Sequence, residues 1–185
     1  MDPSGSTLIW SGEHWISYLC PPGNQEHTGR LSLYHGSYSA AGPGTAAFVE
    51  VPGFAALCTD SPDFARFIRQ TMWGDRHSPF GYPVVEQAAH FTRSGDLRHA
   101  PAWTIETEHH LLKAVWSDLE EPLVGPPTIN PQIVFTILIF AATATLEFDD
   151  QPLGGQPYPR DAWQQSLGLA KSSCCFALAE SMVSA

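Results

Sequence analysis

The sequence predicts a mainly β protein (α+β by strict count): an antiparallel β-sandwich or small barrel with one helix, at about residues 62–72, packed on it. Three observations lead there. Candidate strands follow one another in consecutive runs with no β-α-β-α rhythm. The 16 prolines and 15 glycines are scattered along all 185 residues, so they divide the chain into short elements. Only one segment carries a complete set of helix-start signals.

Taken in order, Thr7 to Cys20 alternates loosely through Leu8, Trp10, Trp15 and Tyr18 and is interrupted by Ser11-Gly12-Glu13, which reads as a hairpin or two short strands. Asn24 to Gly29 is a polar loop. Arg30 to His35 alternates cleanly and reads as a strand stopped by Gly36. Ser37 to Gly44 is a small-residue loop, and Thr45 to Val51 and Ala55 to Thr59 are strands around the turn Pro52-Gly53. Ser61 then stands as N-cap before Pro62, with Asp63 at the positive end of the helix dipole and Phe64, Phe67, Ile68 and Met72 at helical spacing.

Gly74 to Tyr82 is irregular, Val84 to Thr92 reads as a strand, and Arg93-Ser94-Gly95-Asp96 as the turn after it. Trp103 to Leu119 is too long for one ordinary strand and breaks near Glu108-His109-His110 into a hairpin. Pro122 to Pro131 is a loop. Ile133 to Phe148 is the most apolar and strand-prone segment and belongs at the centre of the sheet. Asp149-Asp150 marks a turn, Asp161 to Leu167 a short helix, and Ser172 to Val183 reads as a closing strand in preference to a helix.

These elements make one globular domain over residues 1–185, since no linker or internal repeat divides them. Nine basic residues against nineteen acidic give a formal charge of −10, which repels phosphate backbones and anionic membrane surfaces and argues against a nucleic-acid or membrane partner. The apolar run from Ile133 to Ala142 is about half the ~20 residues of a membrane-spanning helix. Met1 to Ser6 has neither the positive nor the apolar region of a signal peptide, so the expected location is cytoplasmic. Cys20, Cys58, Cys174 and Cys175 lack zinc-ligand spacing and read as small buried hydrophobes in a reducing compartment. The composition is compatible with a homo-oligomer.

Chemistry is sparse. His109 and His110 with Glu106, Glu108, Asp118 and Glu120 form the densest set of metal-capable side chains, but neighbours on a strand point to opposite faces and a polar hairpin tip accounts for the same residues. His35 ends an alternating strand, where an imidazole at a barrel mouth would serve as a general base; the plain alternative is a half-buried, hydrogen-bonded histidine. The catalytic candidates are therefore His35, His109, Glu106 and Asp118. Cys58 stands before a helix start, where a dipole would activate a thiol, yet Asp60 and Asp63 fill that positive end. No phosphate-binding glycine motif is present, and neither a cofactor nor a resident metal is expected. Six tryptophans supply either a bulky core or the lining of a cavity, for which Tyr34, Trp103 and Trp116 are the candidates beside His35.

The leading expectation is a small-molecule-binding β-domain for an apolar or aromatic ligand, with cofactor-independent isomerase, cyclase or hydratase chemistry as its catalytic form. The first alternative is a protein–protein interaction module using Thr7 to Cys20 or Arg30 to His35 as sheet edges. The second is a metal-dependent enzyme built on the His and carboxylate cluster of residues 106–120. Nothing in the motifs decides whether the chain is an enzyme.

Overall fold

In the computed structural model, residues 5–23, 26–129 and 132–184 are described. The strands are β1 (Leu8–Leu19), β2 (Gly29–Ser39), β3 (Gly44–Val51), β4 (Phe54–Thr59), β5 (Val85–Ala88), β6 (His90–Asp96), β7 (Ala100–Glu106), β8 (Leu111–Leu119), β9 (Leu123–Val124), β10 (Thr128–Ile129), β11 (Gln132–Phe148), β12 (Gln151–Pro152), β13 (Pro159–Arg160), β14 (Lys171–Ser172) and β15 (Cys174–Ser184). Helix α1 (Pro62–Ile68) runs on through a π turn (Arg69–Trp73) and a 3-10 turn (Gly74–Arg76), and α2 is Asp161–Leu167. No helix among the described residues is long and apolar enough to cross a membrane.

Ten strands lie side by side in the order β5-β4-β3-β2-β1-β15-β11-β8-β7-β6, all antiparallel except β4 with β5. The outermost two, β5 and β6, are separated along the chain by Ala89 alone. Strands are spaced about 4.8 Å apart, so a flat sheet of this size would hold its edges roughly 40 Å from each other. Two residues span at most about 7 Å, so the sheet has to curl until its edges meet at Ala89. A half-barrel follows, and the expected β-sandwich or small barrel with a packed helix is the observed class.

Side-chain alternation sorts the residues onto two faces. Trp15, Leu31, Leu33, Val49, Cys58, Trp103, Ile105, Leu112, Trp116, Leu146 and Phe176 fill the inside of the curl as one cluster. On the outside, Trp10, Tyr34, Phe48 and Leu57 are covered by Phe64, Ala65 and Ile68 of the helix. Ile16, Tyr18, Phe140 and Cys175 make a second outer patch, covered by Tyr158, Trp163 and Leu167. Ser61 caps α1 by accepting from the Phe64 N–H at 3.4 Å, and Pro62 opens the first turn.

Several elements differ from expectation. β1 is one strand with bulges at Leu8/Trp10 and Gly12/His14 instead of a hairpin, because Ser11-Gly12-Glu13 stays paired with β15 or β2. Gly36 does not stop β2. It pairs with Gly44, and a Cβ on either would lie 2.4 Å or 2.7 Å from Phe64, so the two glycines make room for that ring within the sheet. The expected strand from Val84 to Thr92 is split at Ala89, and the turn after it falls at residues 97–99 instead of 93–96. Asp96 fixes that turn by accepting from the Arg98 N–H at 2.8 Å and bonding the His99 ring at 2.8 Å. The closing segment is strand β15, and β11 lies between β15 and β8 as the central placement anticipated. Parts of two expected loops, residues 24–25 and 130–131, and the first four residues of the start, lie outside the described residues.

Thr7 to Cys20 and Arg30 to His35, expected as edges, are interior: β1 is paired on both sides by β15 and β2, and β2 by β1 and β3. Their continuous buried alternation puts them where both neighbours are available.

Candidate functional site

Arg30 lies near the start of β2 and Glu50 near the end of β3, and the register sets them directly opposite each other. Leu31 and Val49 point into the core, so Arg30 and Glu50 turn to the outer face. There the Arg30 Nε–H donates to the Glu50 carboxylate, the Tyr82 hydroxyl donates to its other oxygen, and the Arg30 guanidinium lies 4.5 Å over the Phe80 ring. His27, just before β2, shares a 2.7 Å hydrogen bond with the Tyr158 hydroxyl. The β3–β4 turn brings Val51, Pro52, Gly53, Phe54 and Ala55 beside these groups. Together with Glu26 and Thr28 they line an open cleft of about 660 Å³.

Burial pushes the Glu50 carboxyl up, but the hydrogen bonds from Arg30 and Tyr82 and the Arg30 charge outweigh it, and the group sits below the usual carboxylate range. Burial, seconded by the Arg30 charge, holds His27 below its ordinary value. A depressed carboxylate stabilises the fold above its unfolded titration, about pH 4.3, and that contribution fades as pH falls through the lower folded value. Glu50→Gln is therefore expected to be less stable than wild type near pH 7, with the difference shrinking toward about pH 3. Urea unfolding at both pH values checks this, and a constant difference would contradict it.

A second cleft, of about 400 Å³, surrounds the β7–β8 turn and is lined by Glu106, Thr107, Glu108, His109, His110, Leu111, Asp149 and Asp150. Thr107 Oγ1 accepts from the His110 backbone N–H at 3.0 Å and shapes the turn. Asp149 and Asp150 both have positive φ, at 52° and 60°, and form the β11–β12 turn. Asp149 accepts from the Leu111 N–H at 2.9 Å and is 2.8 Å from His110 Nδ1. The Leu111 N–H first, and then His110, hold the Asp149 carboxyl below its ordinary value. The His110 ring stacks on Phe148 at 5.0 Å and meets Phe54 at 4.8 Å. Since Phe54 also lines the first cleft, the two clefts are neighbours.

The residues chosen from the sequence do not converge. His35 is half-buried, bonded through Nδ1 to Thr45 Oγ1 at 2.9 Å with its ring 5.6 Å from Trp103. Nearby, Glu13 accepts from Trp15 Nε1 at 3.0 Å and from Arg93 at 2.6 Å, which ties β1 to the edge strand β6. His109 is exposed and 3.8 Å from Glu108, Glu106 lines the second cleft, and Asp118 accepts from Thr143 Oγ1 at 2.6 Å. Glu106 and His109 line the same cleft, and among the described residues no hydrogen bond or ion pair joins any two of the four. Among the described residues no three of His, Cys, Asp and Glu come together as a metal-holding group.

Trp103 and Trp116 are packed inside the curl, where the Trp116 indole N–H donates to Ile16 O at 2.8 Å, and Tyr34 lies on the opposite face, stacked at 4.2 Å on His14. They are buried core residues on two sides of the sheet. All four cysteines are free and buried, and burial pushes the Cys58 thiol up to about 12, which leaves it a small hydrophobe.

Sequence reasoning missed Arg30, Glu50, Tyr82, His27 and Phe54, and it had no partner for His110. Opposite charges at the ends of two predicted neighbouring strands were the available signal for Arg30 and Glu50. Elsewhere the inner face runs out to Phe135 and Ile137, which with Val124 border a groove of about 230 Å³. Comparison with protein-family models, with curated proteins and with solved structures finds no match to this chain.

Proposed function

We propose that this protein binds a small molecule, with an apolar or aromatic body and a hydrogen-bond-donating end, in the cleft between the Arg30–Glu50 pair and the β3–β4 turn. The observation that carries the reading is the placement of a fixed polar network, Arg30–Glu50–Tyr82, against the apolar wall of Val51, Pro52, Phe54 and Ala55. Ligand sites combine a largely apolar lining with a few fixed polar groups in just this way, at volumes of about 300–1,000 Å³. A carboxylate has about four acceptor positions. Arg30 and Tyr82 occupy part of that capacity, and the remainder suits a ligand O–H or N–H. Four buried free thiols suit a reducing compartment such as the cytoplasm.

Titration of the ¹⁵N-labelled protein with phenol, benzyl alcohol, tyramine and 4-hydroxyphenylacetone tests the reading. Saturable amide shifts are expected at Arg30 and Val51 to Ala55, with Glu50→Gln and Phe54→Ala each weakening binding about tenfold, the equivalent of one lost hydrogen bond or ring contact. If no compound in the panel shifts these amides, the cleft is not a ligand site.

A second reading, an interaction module, is supported by exposed Phe135, Ile137 and Val124 around the smaller groove. Sedimentation at rising concentration, compared with Phe135→Ser, would register self-association through that surface.

A further inference from the structure

We propose that the His110–Asp149 pair is a proton-transfer site acting on the molecule held in the adjoining cleft, so that the protein is a cofactor-independent isomerase of aromatic carbonyl compounds with an acidic C–H beside the carbonyl. The inference rests on the ligand reading of that cleft. Its own ground is the geometry of the pair.

An imidazole becomes a useful base when one nitrogen is held as a donor and the other is left free, because the held side fixes both tautomer and ring orientation. Asp149 supplies that hold. One oxygen faces His110 Nδ1 at 2.8 Å, and the other accepts the Leu111 N–H at 2.9 Å, so the carboxylate cannot swing away without losing a backbone bond. The ring plane is set by Phe148 on one side and Phe54 on another. No protein group among the described residues bonds Nε2, and the residue lines a cleft.

Among the described residues no serine, cysteine or lysine side chain is bonded to the pair to act as a nucleophile, so the reaction it can complete alone is a proton shift. Neutral His110 Nε2 takes a proton from the substrate carbon, and the electron pair of that C–H bond passes into the enolate. Nδ1 keeps its proton toward Asp149. The imidazolium then returns its proton to the enolate oxygen, giving the enol tautomer, or to the same α-carbon, and nothing else is consumed. The charged groups that share the cleft with His110 are Glu106, Glu108, Asp149 and Asp150, all acidic, beside His109; Phe54 and Phe148 bring no charge. His110 lines the second cleft and meets the first only through Phe54, whose ring lies 4.8 Å from the imidazole, so a ligand bonded to Glu50 has to extend its carbonyl end past Phe54 to reach it.

The test follows ¹H NMR loss of the α-protons of 4-hydroxyphenylacetone and 4-(4-hydroxyphenyl)butan-2-one in D₂O, alongside the amide titration of the cleft. Protein-dependent exchange is expected, cut at least about a hundredfold by His110→Gln with affinity changed less than about twofold. Asp149→Asn keeps a residue tolerant of positive φ and leaves an acceptor for the Leu111 N–H, so it is expected to fold. It should slow exchange about tenfold with affinity changed less than about twofold, because the ring loses the partner that fixes its tautomer and orientation. A purely structural tie between the two turns would leave the exchange rate of the bound probe unchanged. Probes that bind the cleft yet exchange no faster than in buffer, or equally fast with His110→Gln, would overturn the inference and leave the ligand reading intact. Probes that fail to bind would take both down.

Discussion

Replacing Trp15 with alanine is expected to destabilise the protein by about 3–5 kcal/mol, the cost of emptying a fully enclosed tryptophan site. Trp15 is fully buried, stacked on Phe176 at 4.3 Å, 5.1 Å from Trp116 and edge-on to Trp103 at 6.1 Å. These rings come from β1, β15, β8 and β7, so one side chain joins four strands across the curl. Its N–H also donates to Glu13, which holds Arg93 of the edge strand. The surrounding rings are fixed to separate strands and cannot close over the gap, which places the cost toward the upper part of that range. Chemical denaturation of Trp15→Ala and Trp15→Phe measures it, with the phenylalanine variant retaining much of the stability. A loss below about 1 kcal/mol for the alanine variant would mean that these rings are not packed on one another.

Gly36→Ala is expected to cost about 1–3 kcal/mol or more, the ordinary penalty of overpacking a close contact. Its Cβ would stand 2.4 Å and 2.6 Å from two atoms of Phe64 and 3.1 Å from Trp10 Nε1, so the helix would have to lift or the ring turn. Phe64 is fully buried, and its neighbours Ala65 and Ile68 are seated by the same docking. The cost should therefore fall on the contact between α1 and the sheet. A double-mutant cycle with Phe64→Leu isolates it: the smaller side chain should recover part of the loss. Additive losses, or unchanged hydrogen-exchange protection of residues 62–68, would contradict the cradle.

Gly36 also explains one limit of reading the chain from sequence. A glycine after an alternating run looks like a strand end, and only the approach of a ring from 28 residues further on gives it another purpose. Local signals succeeded where the physics is local. The Ser61-Pro62 helix start, the Pro52-Gly53 and Asp149-Asp150 turns, the hairpin break at Glu108 to His110 and the long apolar β11 were all legible from neighbouring residues. The site was hardly legible. Arg30 meets Glu50 through a register that the loop before Gly44 determines, Tyr82 arrives from an irregular segment, and Asp149 reaches His110 from 39 residues away. Aromatic content suggested a lined cavity, whereas Trp103 and Trp116 are packed in the buried cluster inside the curl with Trp15 and Phe176.

The pairing of Leu8 with Val183 and of Ser17 with Cys174 joins segments from opposite ends of the described chain in the middle of the sheet. During synthesis, β1 must therefore wait with one hydrogen-bonding rim open until residue 184 has left the ribosome, a delay of roughly ten to forty seconds at ordinary elongation rates. Such a chain closes its most distant contacts last and folds slowly for its size. Its newly made, unzipped form is the state most exposed to pairing with a neighbouring copy, so chaperone supply during translation should govern the yield of native protein more than the stability of the finished fold does.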